Sequence, residues 1–288
     1  MNEMISAFLP AGMMVLMLSL GLRLDPAEAG RAVRQPRALL TGLAVQVIGL
    51  PLIAFAVSRG LGLAPALTAG LMLVAASPGG VTSNYAALLA RGSVGLSVTM
   101  TLLTSLAAPI TLPLVLLAAS VTVPGAAALW KISLAMVAVA LVPILVGVLA
   151  AKLAPRLAAG VSRRLDPLAR LLFLAIVLAT FWQNWGAMGQ AFTQVGAAVT
   201  LFAVLAPVLA FLAGAMARLR ASERRTIMVE ATMQNVAITI FVASALMRES
   251  GLAIPGLIYA VEMNLVVLLL IGWAQYSGRG ARRADQPA

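Results

Sequence analysis

Long apolar runs, separated by short polar connections, follow one another along the whole chain. A helix needs about 20 predominantly apolar residues to cross the hydrocarbon core of a bilayer, and each run is close to that length. No connection is long enough for a soluble domain. The pattern therefore predicts an all-α integral membrane fold with nine transmembrane helices, at about 4–22, 38–58, 66–90, 94–119, 129–151, 168–186, 193–217, 227–247 and 253–274.

Two of the predicted helices contain residues that disfavour a regular membrane helix. The third contains Pro78, Gly79 and Gly80 near its centre; proline removes a backbone donor and glycine adds conformational freedom. The eighth contains the acid Glu230, which is costly at membrane depth unless a cation or partner compensates its charge. The predicted topology makes these two helices run in opposite directions. Such a pair indicates a transporter with inverted repeats and a site near the midplane.

The composition agrees with a membrane protein and excludes several kinds of chemistry. The chain is 62% hydrophobic and 10% charged, with a mean hydropathy of +1.02, whereas soluble domains are about half apolar and about a quarter charged. It has no cysteine and no histidine, which excludes disulfides, thiolate metal sites and imidazole proton relays. The only acids in the predicted helices are Glu230 and Glu262. We therefore expect no enzyme active site.

The basic residues are distributed as topology signals rather than as a nucleic-acid surface. With the N-terminus outside, 17 of the 20 Lys and Arg residues lie on the inner side, and Arg59, Lys131 and Arg248 lie on the outer side. Cytoplasmic loops carry the excess of positive charge, so we expect the N-terminus outside and the C-terminus in the cytoplasm. Residues 277–288 are predicted to form a short basic cytoplasmic tail without fixed structure.

Polar side chains near the two interruptions are of the type that binds sodium. Ser97 and Thr101 are four residues apart, as are Glu230 and Gln234, so each pair shares one helix face. Each candidate also has a structural interpretation. Membrane hydroxyls commonly bond the carbonyl four residues earlier, the amide of Gln46 could hold helices together, the Pro-Gly-Gly segment could be a simple kink, and Glu230 could be a protonated structural carboxyl.

Three segments resemble the bile acid:sodium symporter family, which includes bacterial homologues. They lie at 78–84, 89–97 and 230–235 and read PGGVTSN, LARGSVGLS and EATMQN. The resemblance covers nearly the whole chain. It implies a nine-helix transporter with two discontinuous crossing helices in a single transmembrane domain at 1–276. It also implies a core at 38–119 and 193–274, a panel at 4–22, 129–151 and 168–186, and a bacterial inner (plasma) membrane location.

The resemblance also assigns roles to individual positions. It implies two sodium ions and no organic cofactor. The first sodium would be bound by Ser83, Asn84, Ser97, Thr101 and Glu230. The second would be bound by Gln46, Glu230, Ala231, Met233 and Gln234. The substrate region would comprise Thr82, Asn235, Glu262, Met263 and Asn264.

The function expected from this reasoning is sodium-coupled symport of a small organic, anionic solute by alternating access. The expected partners are that solute and the lipid bilayer, without nucleic acid, and a monomer is a plausible state. Glu262 departs from the family pattern. It either faces a panel helix as a protonated carboxyl or contacts substrate or proton, and as a charged group it would repel an anion. The alternative is a proton-coupled transporter or an exporter of the same fold, with Glu230 and Glu262 as proton carriers.

Overall fold

The structure, a computed structural model, describes residues 2–23, 35–80, 82–118, 125–247 and 250–284. This part of the chain is helical apart from short connections. We number its helices in chain order: α1 Asn2–Arg23, α2 Pro36–Gly60, α3 Pro65–Ala76, α4 Ser83–Leu89, α5 Val94–Ala118, α6 Gly125–Met136 continuing through Val137–Leu141 and Val142–Leu153, α7 Pro155–Met216, α8 Ala221–Thr232, α9 Val236–Ile240 continuing through Phe241–Leu246, and α10 Ile254–Ala284.

The described helices include five that are long and apolar enough to cross a membrane: Pro36–Gly60, Val94–Ala118, Trp130–Leu153, Phe192–Met216 and Gly251–Ser277. Three shorter apolar helices are Pro10–Arg23, Pro65–Ala76 and Val236–Leu246. All eight coincide with predicted apolar runs. Three large apolar side chains of α2 are exposed: Leu40, Ile48 and Leu52. They are separated by eight and four residues, so they lie on the same side of the helix, which faces lipid. The number of nine spans stays a prediction.

The structure differs from the prediction at α7. The sequence predicts two spans here, at 168–186 and 193–217, whereas Pro155–Met216 is one continuous helix of 62 residues. At 1.5 Å per residue it is about 93 Å long, well beyond the thickness of a bilayer core. The segment between the predicted spans contains no proline and several good helix formers, so nothing local ends the helix there.

The structure also bears on two predictions about the ends of the helices and the loops. The predicted tail begins at residue 277, but α10 remains helical through Ala284. Its residues 277–284 contain no proline, and a polar sequence on the last turns of a helix does not itself end it. Residues 285–288 and Arg248, one of the three basic residues assigned to the outer side, lie outside the described residues.

Both predicted interruptions are present as breaks between short helices. The first separates α3 from α4, and the backbone becomes extended at Ser77, with φ −67° and ψ 145°. The second separates α8 from α9 at residues 233–235. The sequence identifies the first break through its Pro-Gly-Gly segment, but the second has no such residues and is indicated only by its polar character.

Close backbone contact joins α1 to α6, and α1 also packs along α7. A Cβ atom at Gly147 would lie 2.7 Å from the carbonyl oxygen of Leu18, and one at Gly21 would collide with the carbonyl of Ile144. Small residues at helix crossings allow this close approach in membrane proteins. The contact makes α1 and α6 one packed unit.

We predict that Gly147→Ala destabilises the protein although alanine favours helix formation. Alanine gains about 1 kcal/mol of helix propensity over glycine, but the added methyl group would force the two backbones apart, at a cost of about 1–3 kcal/mol. Gly160→Ala in α7 is the control because a Cβ atom there meets no described atom within 4 Å. Thermal unfolding in detergent measures the effect, and equal melting temperatures for both variants would contradict the packing argument.

Candidate functional site

The two helix breaks cross and pair with each other through their backbones. The N–H of Gly80 donates to the carbonyl of Met233 at 2.7 Å, and the N–H of Asn235 donates to the carbonyl of Pro78 at 2.8 Å. Together they form an isolated antiparallel bridge. Peptide groups at membrane depth must find partners within the protein, and each break supplies the partners of the other.

The glycines of the first break allow this close approach. A Cβ atom at Gly80 would lie 3.3 Å from the carbonyl oxygens of Met233 and Gln234. A Cβ atom at Gly79 would collide with the carboxylate of Glu230. The Pro-Gly-Gly segment is therefore more than a kink, because its lack of side chains brings the backbone against the acid and the opposite break.

Side chains satisfy the carbonyl groups that the second break leaves at the end of α8. The hydroxyl of Tyr259 donates to the carbonyl of Thr232 at 2.7 Å. The side-chain amide of Gln234 donates to the carbonyl of Ala231 at 2.8 Å. These bonds replace the helical bonds that the last turn lacks and hold the break in one conformation.

The carboxylate of Glu230 is fully buried and lies within a cluster of hydroxyl groups. Ser83 donates to it at 2.6 Å and Thr101 at 3.0 Å, and Ser97 forms a third hydrogen bond. The hydroxyl of Ser97 also lies 2.9 Å from the amide oxygen of Asn84. All five residues predicted for the first sodium site are thus brought together from α4, α5 and α8.

Other hydroxyls of the same helix bond mainly to its backbone. Thr99 and Thr104 bond the carbonyls four residues earlier, at 2.7 and 2.8 Å, as is common for membrane hydroxyls, and Thr104 also accepts from the N–H of Gly79 at 3.4 Å. Ser97 and Thr101 instead donate to Glu230. The sequence leaves open whether these hydroxyls are sodium ligands or structural groups that bond the helix backbone. On this helix, the first interpretation fits Ser97 and Thr101, and the second fits Thr99.

The residues predicted for the second sodium site also lie at the crossing. Gln46 is buried in a π-helical turn of α2, and its Nε2 atom lies 3.5 Å from the position that a Cβ atom of Gly79 would occupy, beside Glu230. Neither polar atom of the Gln46 amide has a hydrogen-bond partner among the described residues, and the same holds for the amide oxygen of Gln234. Unpaired buried amide oxygens are costly, and they are the ligands that a hard cation prefers.

The carbonyl groups of Ala231 and Met233 complete this predicted set. They accept hydrogen bonds from the Gln234 side chain and from Gly80, respectively. A carbonyl oxygen has two lone pairs, so each retains capacity for a second interaction.

A cavity of about 80 Å³ lies against one side of the crossing. Thr82, Asn235 and Met263, all predicted substrate residues, line it. The amide nitrogen of Asn235 is buried and has no hydrogen-bond partner within the described ranges. A donor without a partner at a cavity wall is suited to an acceptor group on a bound solute.

The other two predicted substrate residues do not reach this cavity. Glu262 accepts a hydrogen bond from Thr200 of α7 at 2.8 Å. Asn264 is exposed and donates to the carbonyl of Ala260 in its own helix at 2.6 Å. Successive residues of an α-helix point about 100° apart, so only Met263 of these three neighbours faces the cavity.

Sequence reasoning missed an ion pair in the cavity wall. The guanidinium of Arg23 donates to the carboxylate of Asp166 at 2.9 Å, and their side chains are 40% and 21% exposed. The hydroxyl of Ser19 donates to the same carboxylate at 3.4 Å. All three line the cavity. In the sequence Arg23 serves only as a topology signal. The chain has only nine acidic residues, and an acid that is rare among many basic residues is a signal that could have suggested an ion pair for Asp166.

A second, smaller cavity of about 10 Å³ lies near Gln46. It is lined by the polar groups of Gln46, Ser77, Thr104 and Thr111 together with Pro78. Pro78 pairs with Asn235, which lines the larger cavity. The crossing therefore lies between two cavities of unequal size.

Comparison with known families identifies one match. Residues 10–191 match the model of the sodium bile acid symporter family. This range includes the first break and the hydroxyls of α5, and it ends before Glu230.

Individual relatives extend the similarity over most of the chain. The chain is 27% identical over 262 residues to "Uncharacterized sodium-dependent transporter YocS" of Bacillus subtilis (strain 168), covering 91% of this chain and 81% of that protein. It is 29% identical over 264 residues to "Probable sodium/metabolite cotransporter BASS1, chloroplastic" of Arabidopsis thaliana, covering 91% of this chain and 65% of the plant protein. A shorter similarity, 33% over 116 residues, relates 40% of this chain to 26% of "Sodium/bile acid cotransporter 4" of Homo sapiens.

Proposed function

Because this chain belongs to the sodium bile acid symporter family, we propose that it is a symporter that couples sodium to the uptake of a small organic anion. The family and the relatives are membrane transporters rather than enzymes, and the relatives' names specify sodium. The observation that carries the proposal is the buried Glu230 carboxylate. It has no Lys or Arg partner in the described part of the chain and is surrounded by neutral oxygen atoms.

The first sodium ion binds at this carboxylate. Ser83, Ser97, Thr101 and Asn84 supply neutral oxygens, and Glu230 supplies the negative charge. A buried carboxylate without a counter-ion is strongly unfavourable. A sodium ion at this position removes that penalty, and its binding free energy therefore stabilises the whole crossing.

The second sodium ion binds on the Gln46 side of Glu230. The unpartnered amide oxygens of Gln46 and Gln234 and the carbonyls of Ala231 and Met233 are the ligands. Carbonyl groups freed at helix breaks coordinate sodium in transporters with discontinuous helices. Glu230 contacts both ions, so loss of its charge weakens both sites.

The organic anion binds in the larger cavity. Its negatively charged group pairs with Arg23, whose guanidinium Asp166 holds in place, and an oxygen at its other end accepts from Asn235. Apolar walls, formed by Leu16, Met17 and other residues, contact the body of the solute. Glu262 does not line this cavity and accepts a hydrogen bond from Thr200 instead, so its charge does not face an anion bound there.

Transport proceeds by alternating access. The core, at 38–119 and 193–274, rocks against the panel, at 4–22, 129–151 and 168–186, around the paired breaks. Because the continuous helix α7 belongs to both parts, this movement bends α7 between 186 and 193. With the N-terminus outside, Arg23 lies toward the cytoplasm, so the described conformation presents its larger cavity inward. The membrane is the bacterial inner membrane, and a single copy contains the whole site.

A proton-coupled transporter is the second candidate function. Glu262 supports it, because it is a further acid among apolar helices and one of its oxygens is buried without a partner among the described residues. Intramembrane carboxyl groups of this kind act as proton carriers in other transporters. Dependence on sodium at fixed pH separates the two functions.

We expect Glu230→Gln to abolish the stabilisation of the purified protein by sodium. A ligand at about 100 times its Kd stabilises the folded state by about 2.7 kcal/mol, and glutamine removes the charge that both ions require. The measurement is the melting temperature in sodium chloride against choline chloride. Glu262→Gln is the control and should retain the sodium shift. No sodium shift in the wild type would favour the proton-coupled function, and a shift lost only in Glu262→Gln would place the sodium site at Glu262 instead of Glu230.

Ser97→Ala should raise the sodium concentration needed for half-maximal stabilisation by about ten-fold, which corresponds to about 1.4 kcal/mol. The variant removes one neutral ligand and keeps the carboxylate. Thr99→Val is a matched control on the same helix, because the Thr99 hydroxyl bonds a carbonyl of its own helix. Equal sodium dependence in both variants would assign the Ser97 hydroxyl to packing.

Arg23→Gln should abolish stabilisation by small carboxylic acids while preserving stabilisation by sodium alone. The probes are a panel of such acids in sodium buffer, each compared with its primary amide, because only the acid carries the charge that pairs with guanidinium. Melting temperature is the readout. An acid that stabilises the wild type no more than its amide, or stabilises Arg23→Gln equally, would contradict the role of Arg23.

A further inference from the structure

A shallow crevice lies at the other end of α8 from the break. It is lined by Ala90 from the turn after α4, by Arg225, Met228 and Val229 of α8, and by Leu270 and Trp273 of α10. Arg225 is therefore the only charged residue of a lining that is otherwise apolar or aromatic.

The charge of Arg225 is not neutralised by a neighbouring acid. Within the described ranges Arg225 takes part in no salt bridge. Its guanidinium carbon instead lies 6.0 Å from the ring centroid of Trp273, whose side chain is 47% exposed. The nearby acid Glu223 accepts a hydrogen bond from the backbone of Arg220 at the start of α8. The crevice therefore keeps a net positive charge.

The surroundings identify the chemistry of an occupant. Tryptophan with arginine at the end of apolar helices is typical of the depth of lipid headgroups, and Leu270 beside them is partly exposed to the same surface. A soluble anion would satisfy the charge but leave the exposed parts of Leu270 and Trp273 uncovered. A phospholipid supplies both a phosphate for the guanidinium and an acyl chain for these two side chains.

We infer that this crevice is a binding site for an anionic phospholipid, whose phosphate pairs with Arg225 and whose acyl chain lies along Leu270 and Trp273. This inference does not depend on the proposed transport function, because none of the crevice residues lines the larger cavity.

The site lies against the two short helices that carry the Glu230 cluster. The ends of α4 and α8 pack with α10 in a small apolar cluster separate from the main core, formed by Ala86, Ala87, Ala90, Val229, Met233, Val267 and Ala274. Alanine-rich contacts bury little apolar area and contribute little stability. A lipid at this position adds contacts to both short helices, so it should stabilise the region that positions Ser83 and Glu230.

The test is thermal unfolding of the full-length protein in detergent with added phosphatidylglycerol or with phosphatidylcholine of the same acyl chains. We expect phosphatidylglycerol to raise the melting temperature of the wild type well above the value in phosphatidylcholine. Arg225→Gln should lose most of this difference, and Arg225→Lys should keep more of it than Arg225→Gln, since lysine retains the charge but not the planar guanidinium. Glycerol phosphate, which has the anionic group without the acyl chains, should cause no shift.

Arg59→Gln is the matched control, because Arg59 also lies over an aromatic ring, at 5.7 Å from the centroid of Phe55. It should keep the full response to phosphatidylglycerol. An equal response in Arg225→Gln and Arg59→Gln, an equal response to both lipids, or an equal response to glycerol phosphate would each overturn the inference. If Arg225→Gln does not fold, native mass spectrometry of the wild type decides: selective retention of phosphatidylglycerol supports the site, and equal retention of both lipids rejects it.

Discussion

The pairing of two helix breaks through their backbones is the constraint on which the rest of this site depends. An unpaired peptide group at membrane depth costs several kcal/mol, and a broken helix exposes several such groups. Here the groups of Pro78 and Gly80 meet those of Asn235 and Met233. Each break is therefore stable because of the other, and neither α4 nor α9 could keep its position if the opposite break moved away.

Glu230, the acid at which sodium is proposed to bind, is placed by the same pairing. Ser83 follows the first break and Glu230 precedes the second, and the two are joined by a hydrogen bond of 2.6 Å. A cation that binds Glu230 consequently acts on both breaks at once. This gives the proposed coupling a physical basis, because binding energy released at one carboxylate stabilises a particular arrangement of four short helices.

The sequence predicts the elements of the site better than their arrangement. Helix-breaking residues are a local signal, so the first break follows from them, whereas the residues grouped around Glu230 are expected from the family resemblance. The partner of each break is a tertiary property, as is the ion pair between Arg23 and Asp166, which are 143 residues apart. The orientation of α10 decides that Met263 and not Asn264 faces the cavity. The hydropathy of the sequence also cannot show that the helix continues between 187 and 192. Hydropathy indicates which segments are apolar, but it does not indicate where a helix ends.

Under the proposed mechanism the crossing moves as a rigid unit, because separating the breaks would expose their peptide groups. The small residues Gly21 and Gly147 equally keep α1 and α6 together. The larger cavity lies between these two units: Arg23 belongs to α1 and Asn235 to the crossing. A solute that contacts both residues bridges the moving parts, and it binds most strongly in the conformation in which their separation matches its length. Selectivity and the conformational change would then arise from the same pair of contacts.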